Sequence, residues 1–277
     1  MIDLHTHSTA SDGSDPPERI PELAAAAGCQ AVALTDHDRL QGVGAAQKRA
    51  AEVGVELVPG CELSLEARGT MHLLVYFVEP GPGPLQDSLI RLQQARTERN
   101  QRLAARLAEL GLPITYGEMV VEAGGDGVGR PHMAAILVRK GIVNSIQEAF
   151  DVWLAKGKPA YLDKERLQPA DALALAKASG GVSVLAHPMS LEQPPDQLER
   201  TVAELAGLGL AGLEAVYGRY DPDQRSELSS LAGRHGLVVT GGSDYHGSYK
   251  PDLSVGTGRG DLHVPDSVLD ALRQRIA

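Results

Sequence analysis

Cysteine and aromatic residues are scarce in this sequence. Its 277 residues include two cysteines, two phenylalanines and one tryptophan. Two cysteines cannot build a disulfide framework or a four-thiolate zinc site, and Cys29 and Cys61 both lie in apolar stretches. We therefore expect two buried, reduced thiols. The shortage of aromatic residues disfavours an aromatic-rich β-sandwich, and the many Ala, Leu and Val residues favour helices packed on a sheet.

The sequence also lacks an excess of basic residues and a long apolar run. The formal net charge is -10 at pH 7, which argues against a broad basic surface for duplex DNA but allows a small anionic substrate bound by a local cluster of cations. No apolar segment approaches the ~20 residues that cross a bilayer, and the N-terminus shows no leader pattern. We expect a cytoplasmic protein that binds neither membranes nor duplex DNA.

Apolar strand patterns alternate with amphipathic helices along most of the chain. This order predicts about seven parallel strands joined by right-handed crossovers. Residues 84–158 break the rhythm, because they contain helical patterns that end near Leu110 or begin near Pro131 and Ser145, and no good strand. We predict an α/β barrel domain in residues 1–83 and 159–277, and a helical insertion at 84–158 that covers the active site.

Histidines and carboxylates fall at the carboxyl ends of nearly all these strands. In a closed parallel barrel such ends converge on one face, whereas in an open sheet they spread along an edge. A site drawn from many strands therefore favours a distorted (β/α)7 TIM-like barrel. His72 is an exception, because it stands at the start of its strand. The strand-end residues are His5, His7, Asp36, His37, Glu62, His187, Glu214, Asp244 and His246.

These side chains offer imidazole nitrogens and carboxylate oxygens without thiolates. Side chains alternate along a strand, so His5 and His7 point to the same side. Together with Asp12, Glu62 and Asp244, the histidines provide more ligands than one ion can use. The set suits two or three divalent metal ions, with Mn, Zn and Fe as candidates.

Five motifs make the sequence recognisable. In order, "DLHTHSTASDG", "ALTDHD", "PGCELS", "LAHP" and "GGSDYH" resemble those of the polymerase and histidinol phosphatase (PHP) superfamily of metal-dependent phosphoesterases. The resemblance covers most of the chain outside the insertion. Within the superfamily, "GRPH" in the insertion and the later "GKPAY" resemble the branch that acts on nucleoside 3',5'-bisphosphates and short RNA ends.

The resemblance implies a role for each candidate metal ligand. Asp12 stands where many relatives have a histidine. Asp36 and Asp38 flank a ligand, and we predict that they orient imidazole rings. The implied ligands are His5, His7, Glu62 and Asp244 for the first ion, His37, His246 and Asp12 for the second, and Glu62, His72 and His187 for the third.

The resemblance also implies catalytic and phosphate-binding residues beside the insertion. Arg130 and Lys158 are predicted to bind the substrate phosphate, because a guanidinium grips two oxygens and an ammonium adds a point charge. His132 is predicted to be a further substrate ligand or the acid that protonates the leaving group. Ser243 lacks the spacing of a hydrolase nucleophile, so no covalent intermediate is expected.

The predicted reaction is metal-assisted hydrolysis of a phosphate monoester of a nucleotide or short oligonucleotide. The preferred substrate is the 3'-phosphate of nucleoside 3',5'-bisphosphates, with short RNA 5' ends as a further one. A histidinol-phosphate or cyclic-phosphate hydrolase of the same superfamily is an alternative. An amide-cleaving metallohydrolase and a non-catalytic metal-binding module are others.

Overall fold

The strands form one sheet whose order follows the chain. The computed structural model describes residues 1–276. The seven strands in this part are β1 (Ile2–Asp3), β2 (Ala31–Leu34), β3 (Glu56–Leu65), β4 (Met71–Tyr76), β5 (Val182–Leu185), β6 (Gly212–Tyr217) and β7 (Val238–Gly242). This sequential order suits a barrel, because each connection leads to the next strand around the circle.

The first and last strands approach each other and nearly close the sheet. The Leu4 amide donates to the Gly241 carbonyl over 3.2 Å, and the His7 amide donates to the Tyr245 carbonyl over 2.9 Å. Gly242 permits this approach, because a Cβ at that position would lie 2.4 Å from the Cβ of His5. The predicted distorted seven-stranded barrel is confirmed.

The prediction that all strands run parallel is wrong for β4. This strand pairs antiparallel with both β3 and β5, whereas the other neighbouring pairs are parallel. Residues 66–70 are too few for a crossover, so the chain reverses direction there. The reversal brings the start of β4 to the face where the other strands end, which explains the exceptional position of His72.

Helices pack on the barrel and fill the insertion. Helices α1, α2, α7, α9 and α10 contact the strands. Helix α4 was not predicted, although Thr115 and Glu118 form a capping box at its start. The bounds are α1 (Arg19–Ala26), α2 (Val43–Val53), α3 (Pro84–Glu109), α4 (Tyr116–Ala123), α5 (Arg130–Arg139), α6 (Ile146–Ala149), α7 (Pro169–Ala178), α8 (Pro195–Gly207), α9 (Pro222–Arg234) and α10 (Ser267–Arg273).

The inserted helices α3 to α6 have an apolar core of their own, which the second half of α3 helps to form. The start of α3 instead packs on the barrel core through Leu85 and Leu89. The loop between α4 and α5 lies against the segment after β1, since a Cβ on Gly127 would lie 2.5 Å from the carbonyl oxygen of Ser11. This contact brings the insertion beside the strand ends. The division into separate domains stays a prediction.

The structure bears on the expected state of the two cysteines and on the expected lack of a membrane-spanning segment. Cys29 and Cys61 are buried and form no disulfide. Among residues 1–276, no helix combines the length and the apolar character that crossing a membrane requires.

Candidate metal centre

The nine side chains predicted as metal ligands converge at the barrel mouth, and we call them the metal-ligand cluster. Seven of them are buried, while His37 and His72 are partly exposed. Within each of four overlapping groups, the ligand atoms lie within 4.8 Å of one another. The groups are His5, His7 and Asp244; His5, Glu62 and His187; His37, Glu62 and His72; and His7, Asp12, His37 and His246.

His5 and His7 point to the same side, as the alternation along β1 and its extension requires. Their Nε2 atoms are 3.1 Å apart. Glu62 Oε2 lies 3.4 Å from His5 Nε2 and 3.2 Å from His7 Nε2. Asp244 Oδ1 lies 3.5 Å from both nitrogens. These two nitrogens and the neighbouring carboxylate oxygens are the types of donor that bind divalent ions.

Glu62 divides its two oxygens between different neighbours. Its Oε2 faces His5 and His7 and lies 3.0 Å from His37 Nδ1. Its Oε1 lies on the other side, 2.9 Å from the Nδ1 of His72 and 3.0 Å from the Nε2 of His187. A carboxylate with ligands on both sides is placed to bridge two ions.

Asp12 stands between histidines from distant parts of the chain. Its Oδ1 lies 3.4 Å from His246 Nε2, and its Oδ2 lies 3.8 Å from His37 Nε2. The Nδ1 of His7 is 3.7 Å from the same Oδ1. The aspartate therefore faces the same space as three imidazoles, although it lies in a loop after β1.

Hydrogen bonds from Nδ1 orient three of the imidazole rings. Nδ1 of His5 donates to Glu214 over 2.8 Å, Nδ1 of His187 donates to Ser190 Oγ over 2.8 Å, and Nδ1 of His246 donates to the Asp244 carbonyl over 2.9 Å. In this arrangement each Nε2 lies toward the carboxylates of the cluster, where a neutral ring would offer its lone pair to a metal ion. Nitrogen and carboxylate oxygen atoms at such short range need a proton or a cation between them, and their number and type fit divalent metal ions.

Glu214 is an important partner whose role the sequence did not indicate. Its Oε1 accepts from the His5 ring, and its Oε2 accepts from the His187 amide over 2.7 Å. One buried carboxylate thus fixes two candidate ligands. His187 and Asp244 have positive φ values of 25° and 55°, and such strained backbone at non-glycine residues is concentrated at functional sites.

The predicted role of Asp36 and Asp38 as imidazole partners is wrong. Asp36 accepts hydrogen bonds from the amide and the hydroxyl of Ser8 and from the hydroxyl of Ser11, at 2.6 to 2.8 Å. It therefore holds the loop that follows β1. Asp38 instead pairs with Arg96. Both aspartates are adjacent to His37 in the sequence, but the side chains of neighbouring residues point in different directions. Adjacency therefore did not predict their hydrogen-bond partners.

Burial and charge act in opposite directions on the carboxylates of the cluster. Burial raises the pKa of Glu62, but His72 and His37 lower it well below its usual range. Burial also raises the pKa of Asp12, and His37 and His246 outweigh it, so that this pKa too falls well below the usual range. Burial lowers the pKa of His37 well below that of a free imidazole. Ionised carboxylates and neutral imidazoles are the forms that bind metal ions.

A cavity of ≈ 1030 Å³ opens beside the metal-ligand cluster, and four members of the cluster line it. The insertion and the loops around the mouth supply the rest of its wall. Ten cationic side chains are among the lining residues, so the cavity favours an anionic occupant. They are Arg68, Arg96, Arg99, Arg130, Lys156, Lys164, Arg166, Arg219, Lys250 and Arg259.

Arg130 lines the cavity, where it was predicted to bind phosphate. Its guanidinium carbon lies 5.9 Å from the centre of the Phe150 ring and 5.6 Å from that of Tyr161. Its Nη1 donates to the carbonyl of Leu154 over 3.3 Å. The stacked, planar guanidinium is held in place and keeps other N–H groups for a ligand.

Lys158 and His132 lie outside the cavity wall. Lys158 is exposed and is not among the lining residues. His132 is fully buried, and its Nδ1 accepts a hydrogen bond from the Gly129 amide over 2.9 Å. Contacts of these two side chains with substrate stay predictions. Lys164, which was not predicted, lies on the cavity wall instead.

The fold can be compared with those of solved structures. A solved structure from Bifidobacterium adolescentis, described as a metal-dependent phosphoesterase, superposes with a TM-score of 0.89 at 28% sequence identity, over 100% of this chain and 96% of that chain. The nearly closed barrel and the metal-ligand cluster thus define a metal-dependent phosphoesterase.

Proteins of similar sequence show the family to which this chain belongs. A 3',5'-nucleoside bisphosphate phosphatase from Chromobacterium violaceum is 31% identical over 257 residues, which are 92% of this chain and 90% of the relative. A 5'-3' exoribonuclease from Haemophilus influenzae is 32% identical over 245 residues, 88% of this chain and 89% of the relative. The PHP domain family model matches residues 3–166. The chain belongs to the PHP domain family, as its motifs predicted.

Proposed function

We propose that this phosphoesterase removes the 3'-phosphate from nucleoside 3',5'-bisphosphates. The observation that carries the proposal is the metal-ligand cluster, which opens into a cavity lined by ten cations. A substrate with more than one phosphate matches that wall. The Chromobacterium violaceum relative is a phosphatase for this class of substrate and is similar over most of both chains.

The nine residues of the metal-ligand cluster would hold two or three divalent ions, with Mn, Zn and Fe as the candidates. Glu62 would bridge two of the sites, because its oxygens face different groups of histidines. When bound, divalent ions lower the pKa of water and polarise a phosphoryl oxygen.

Residues of the chain outside the cluster would prepare the site for this chemistry. Tyr217 donates to Asp244 Oδ2 over 2.7 Å, and Lys250 Nζ contacts the same oxygen. These contacts leave Oδ1 facing His5 and His7. The side chain of Asp244 therefore has one orientation before any ligand arrives.

Arg130 would bind the oxygens of the phosphate that is cleaved. Phe150 and Tyr161 hold its guanidinium in place, so little side-chain freedom is lost when a phosphate binds. Preorganised charge of this kind stabilises the additional negative charge that develops as the phosphoryl group is attacked. The predicted contact of His132 with the leaving group is part of the same proposal.

Phosphate release by the purified protein with Mn²⁺ tests the proposal. We expect turnover of adenosine 3',5'-bisphosphate to adenosine 5'-monophosphate, identified by mass spectrometry, at a higher kcat/KM than for histidinol phosphate or a cyclic phosphodiester. Absence of turnover with every phosphoester would refute the catalytic function. A preference for either of the other two substrates would refute the substrate assignment.

A matched pair of histidine variants links that activity to the cluster. His37 belongs to two of the metal-binding groups, whereas His263 is exposed and belongs to none. We expect His37→Ala to lose most activity and part of the bound metal, and His263→Ala to keep both. Full activity of His37→Ala would contradict the assignment of ligands.

Short RNA 5' ends are a second candidate substrate. The cavity volume of ≈ 1030 Å³ exceeds what one nucleotide fills, and the Haemophilus influenzae relative is a 5'-3' exoribonuclease. A 5'-phosphorylated trinucleotide in the same assay tests this activity, and release of mononucleotides is the expected result.

A cytoplasmic location also belongs to the proposal, and the two unpaired cysteines support it.

A further inference from the structure

The turn after β2 carries a candidate metal ligand, His37, whose ring is not held by a hydrogen bond from Nδ1. This nitrogen is buried and has no hydrogen-bond partner among residues 1–276. Glu62 Oε2 lies 3.0 Å away, but the two atoms are not aligned for a hydrogen bond. The rings of His5, His187 and His246, by contrast, are oriented by hydrogen bonds from Nδ1. The ring of His37 therefore depends on its backbone for its position.

Asp38, the next residue, ties that backbone to β3. Its φ angle of 54° lies in the left-handed region, which aspartate and asparagine adopt more readily than most residues with a side chain. Its amide donates to the Glu62 carbonyl over 3.0 Å, and its Oδ1 accepts from the Ser64 amide over 3.1 Å. The Glu62 amide donates to the Asp36 carbonyl over 3.2 Å. These bonds fix the backbone spacing between His37 and Glu62.

Helix α3 of the insertion holds Asp38 as well. Gln93 Nε2 donates to the carbonyl oxygen of Asp38 over 2.8 Å, and Arg96 pairs with its Oδ2. Gln93 and Arg96 are three residues apart and so lie on one face of the helix. Asp38 and Arg96 are both buried, and removing either would leave an uncompensated charge. The insertion thus holds both the main chain and the side chain of the residue after His37.

Asp38 has no direct contact that would explain its burial by substrate binding. Among residues 1–276, the lining of the cavity includes Arg96 but not Asp38. The carboxylate of Asp38 also orients no imidazole ring, since its partners are Arg96 and the Ser64 amide. Any effect of Asp38 on the metal-ligand cluster therefore passes through the main chain.

We propose that Asp38 is a positioning residue of the metal centre. Held by Arg96 of the insertion, it sets the distance between His37 and Glu62 and thereby the affinity for the ion that His37 binds. This inference rests on the proposed ligands and gives the insertion a role beyond forming part of the cavity wall. Ligands that are already in place raise affinity, because binding then costs less conformational freedom.

The binding of Mn²⁺ measures this effect. We expect Asp38→Asn, which keeps an acceptor for the Ser64 amide but loses the ion pair with Arg96, to lower the affinity for one bound Mn²⁺ about tenfold or more. Arg96→Met should do the same, and the double variant should lose no more than either, because both substitutions break one pair. Electron paramagnetic resonance of free Mn²⁺ gives the affinities. Asp87→Asn and Arg102→Gln, both exposed on α3, are the controls and should match the unmodified protein. Unchanged affinity in Asp38→Asn and Arg96→Met would overturn the proposal.

The Mn²⁺ dependence of hydrolysis separates positioning from other roles. With adenosine 3',5'-bisphosphate, Asp38→Asn should need about tenfold more Mn²⁺ for half-maximal activity. At saturating Mn²⁺ its kcat and KM should return to about those of the unmodified protein. A raised KM with an unchanged Mn²⁺ requirement would make the pair part of substrate binding. A lower Tm with unchanged Mn²⁺ affinity would make it a contact of the fold alone, and either result would overturn the proposal.

A milder variant applies if loss of the ion pair prevents folding. Gln93→Ala removes one hydrogen bond to the Asp38 carbonyl and leaves both charges in place. It should lower the Mn²⁺ affinity about threefold, as expected for a neutral hydrogen bond, whereas Gln94→Ala, exposed beside it, should not. Equal affinities of these two variants would count against the proposal.

The same measurements separate this inference from the proposed function. Mn²⁺ binding that depends on Asp38, without hydrolysis of any bisphosphate, would uphold the positioning role and refute the proposed reaction. Hydrolysis of the bisphosphate with a Mn²⁺ affinity that does not depend on Asp38 would uphold the reaction and refute the positioning role.

Discussion

The metal-ligand cluster has four cations of the cavity wall beside it, Arg96, Arg99, Lys164 and Arg166, which we call the cationic cluster. The chain builds these two neighbouring clusters in different ways. The first is assembled from the ends of strands all around the barrel, so the closed sheet itself brings its members together. The second comes from one inserted helix and the segment after the insertion, which supplies Lys164 and Arg166. From this contrast we infer that the barrel supplies the metal ligands, and that the insertion and the segment after it supply the cations that contact the phosphorylated molecule.

The largest expected effect tests the barrel's contribution. Glu62→Gln replaces the carboxylate proposed to bridge two ions by an amide, which cannot supply two anionic oxygens to the groups on either side. A metal ion contributes several kcal/mol to the transition state, so loss of bound metal should lower kcat by about 10³-fold. Metal content by mass spectrometry and phosphate release measure both effects.

Glu98→Gln is the matched control for this substitution, because Glu98 is exposed on α3 and lies outside both clusters. It should keep the metal content and activity of the unmodified protein. Retention of all metal and activity by Glu62→Gln would show that the cluster does not depend on its central carboxylate.

A smaller effect is expected for a residue that contacts candidate metal ligands and is not a candidate ligand itself. Glu214 accepts from the His5 ring and from the His187 amide with different oxygens. In Glu214→Gln the amide NH2 can only donate, so one of the two contacts is lost. Substitutions of such partners cost about 10- to 100-fold in metal affinity or activity. Metal titration of Glu214→Gln beside the exposed Glu204→Gln checks this, and equal affinities would remove Glu214 from the site.

The metal-ligand cluster was predictable because two local signals coincide in the sequence. Strand patterns end in histidines and carboxylates, and a barrel brings those ends to one face. His72 shows the limit of this reasoning. Its strand reverses, and only the five-residue connection at 66–70 indicated that β3 and β4 are antiparallel.

The cationic cluster could not be predicted in the same way. Arg96 and Arg99 lie in a helix with charged residues on several sides, where an arginine is normally exposed. Their burial depends on contacts with Asp38 and with the cavity wall, which are distant in sequence. Glu214 is similar, because it lies within β6 and its two partners depend on the register of β5 and β6.

The two lysines near the end of the insertion sharpen the comparison. Lys164 lines the cavity, and its Nζ donates to Ser64 Oγ over 2.5 Å, whereas Lys158 is exposed and outside the lining. A hydrogen bond from Lys164 to a phosphate of the substrate would join charged groups, and such bonds contribute about 1.5 to 3 kcal/mol. Lys164→Ala should therefore lower kcat/KM for adenosine 3',5'-bisphosphate about tenfold or more. Lys158→Ala should change it less than about twofold. The reverse ranking would favour Lys158, the residue predicted from the sequence, as the phosphate ligand.

The smallest effect concerns stability in the absence of ligand. Replacing a buried charge by a similarly sized apolar side chain often stabilises a protein by about 1 to 4 kcal/mol, so Arg99→Met should raise Tm at pH 7.5. Burial lowers the pKa of Arg99 to about 9, far below that of an exposed arginine. At pH values between the pKa of Arg99 in the folded protein and that of an exposed arginine, the unfolded chain binds more protons than the folded one. The destabilisation by the charge of Arg99 is therefore complete below about pH 9 and decreases above it. The Tm difference between Arg99→Met and the unmodified protein should therefore be smaller at pH 10 than at pH 7.5, as scanning calorimetry can measure. A lower Tm for Arg99→Met at both pH values would mean that Arg99 stabilises the fold.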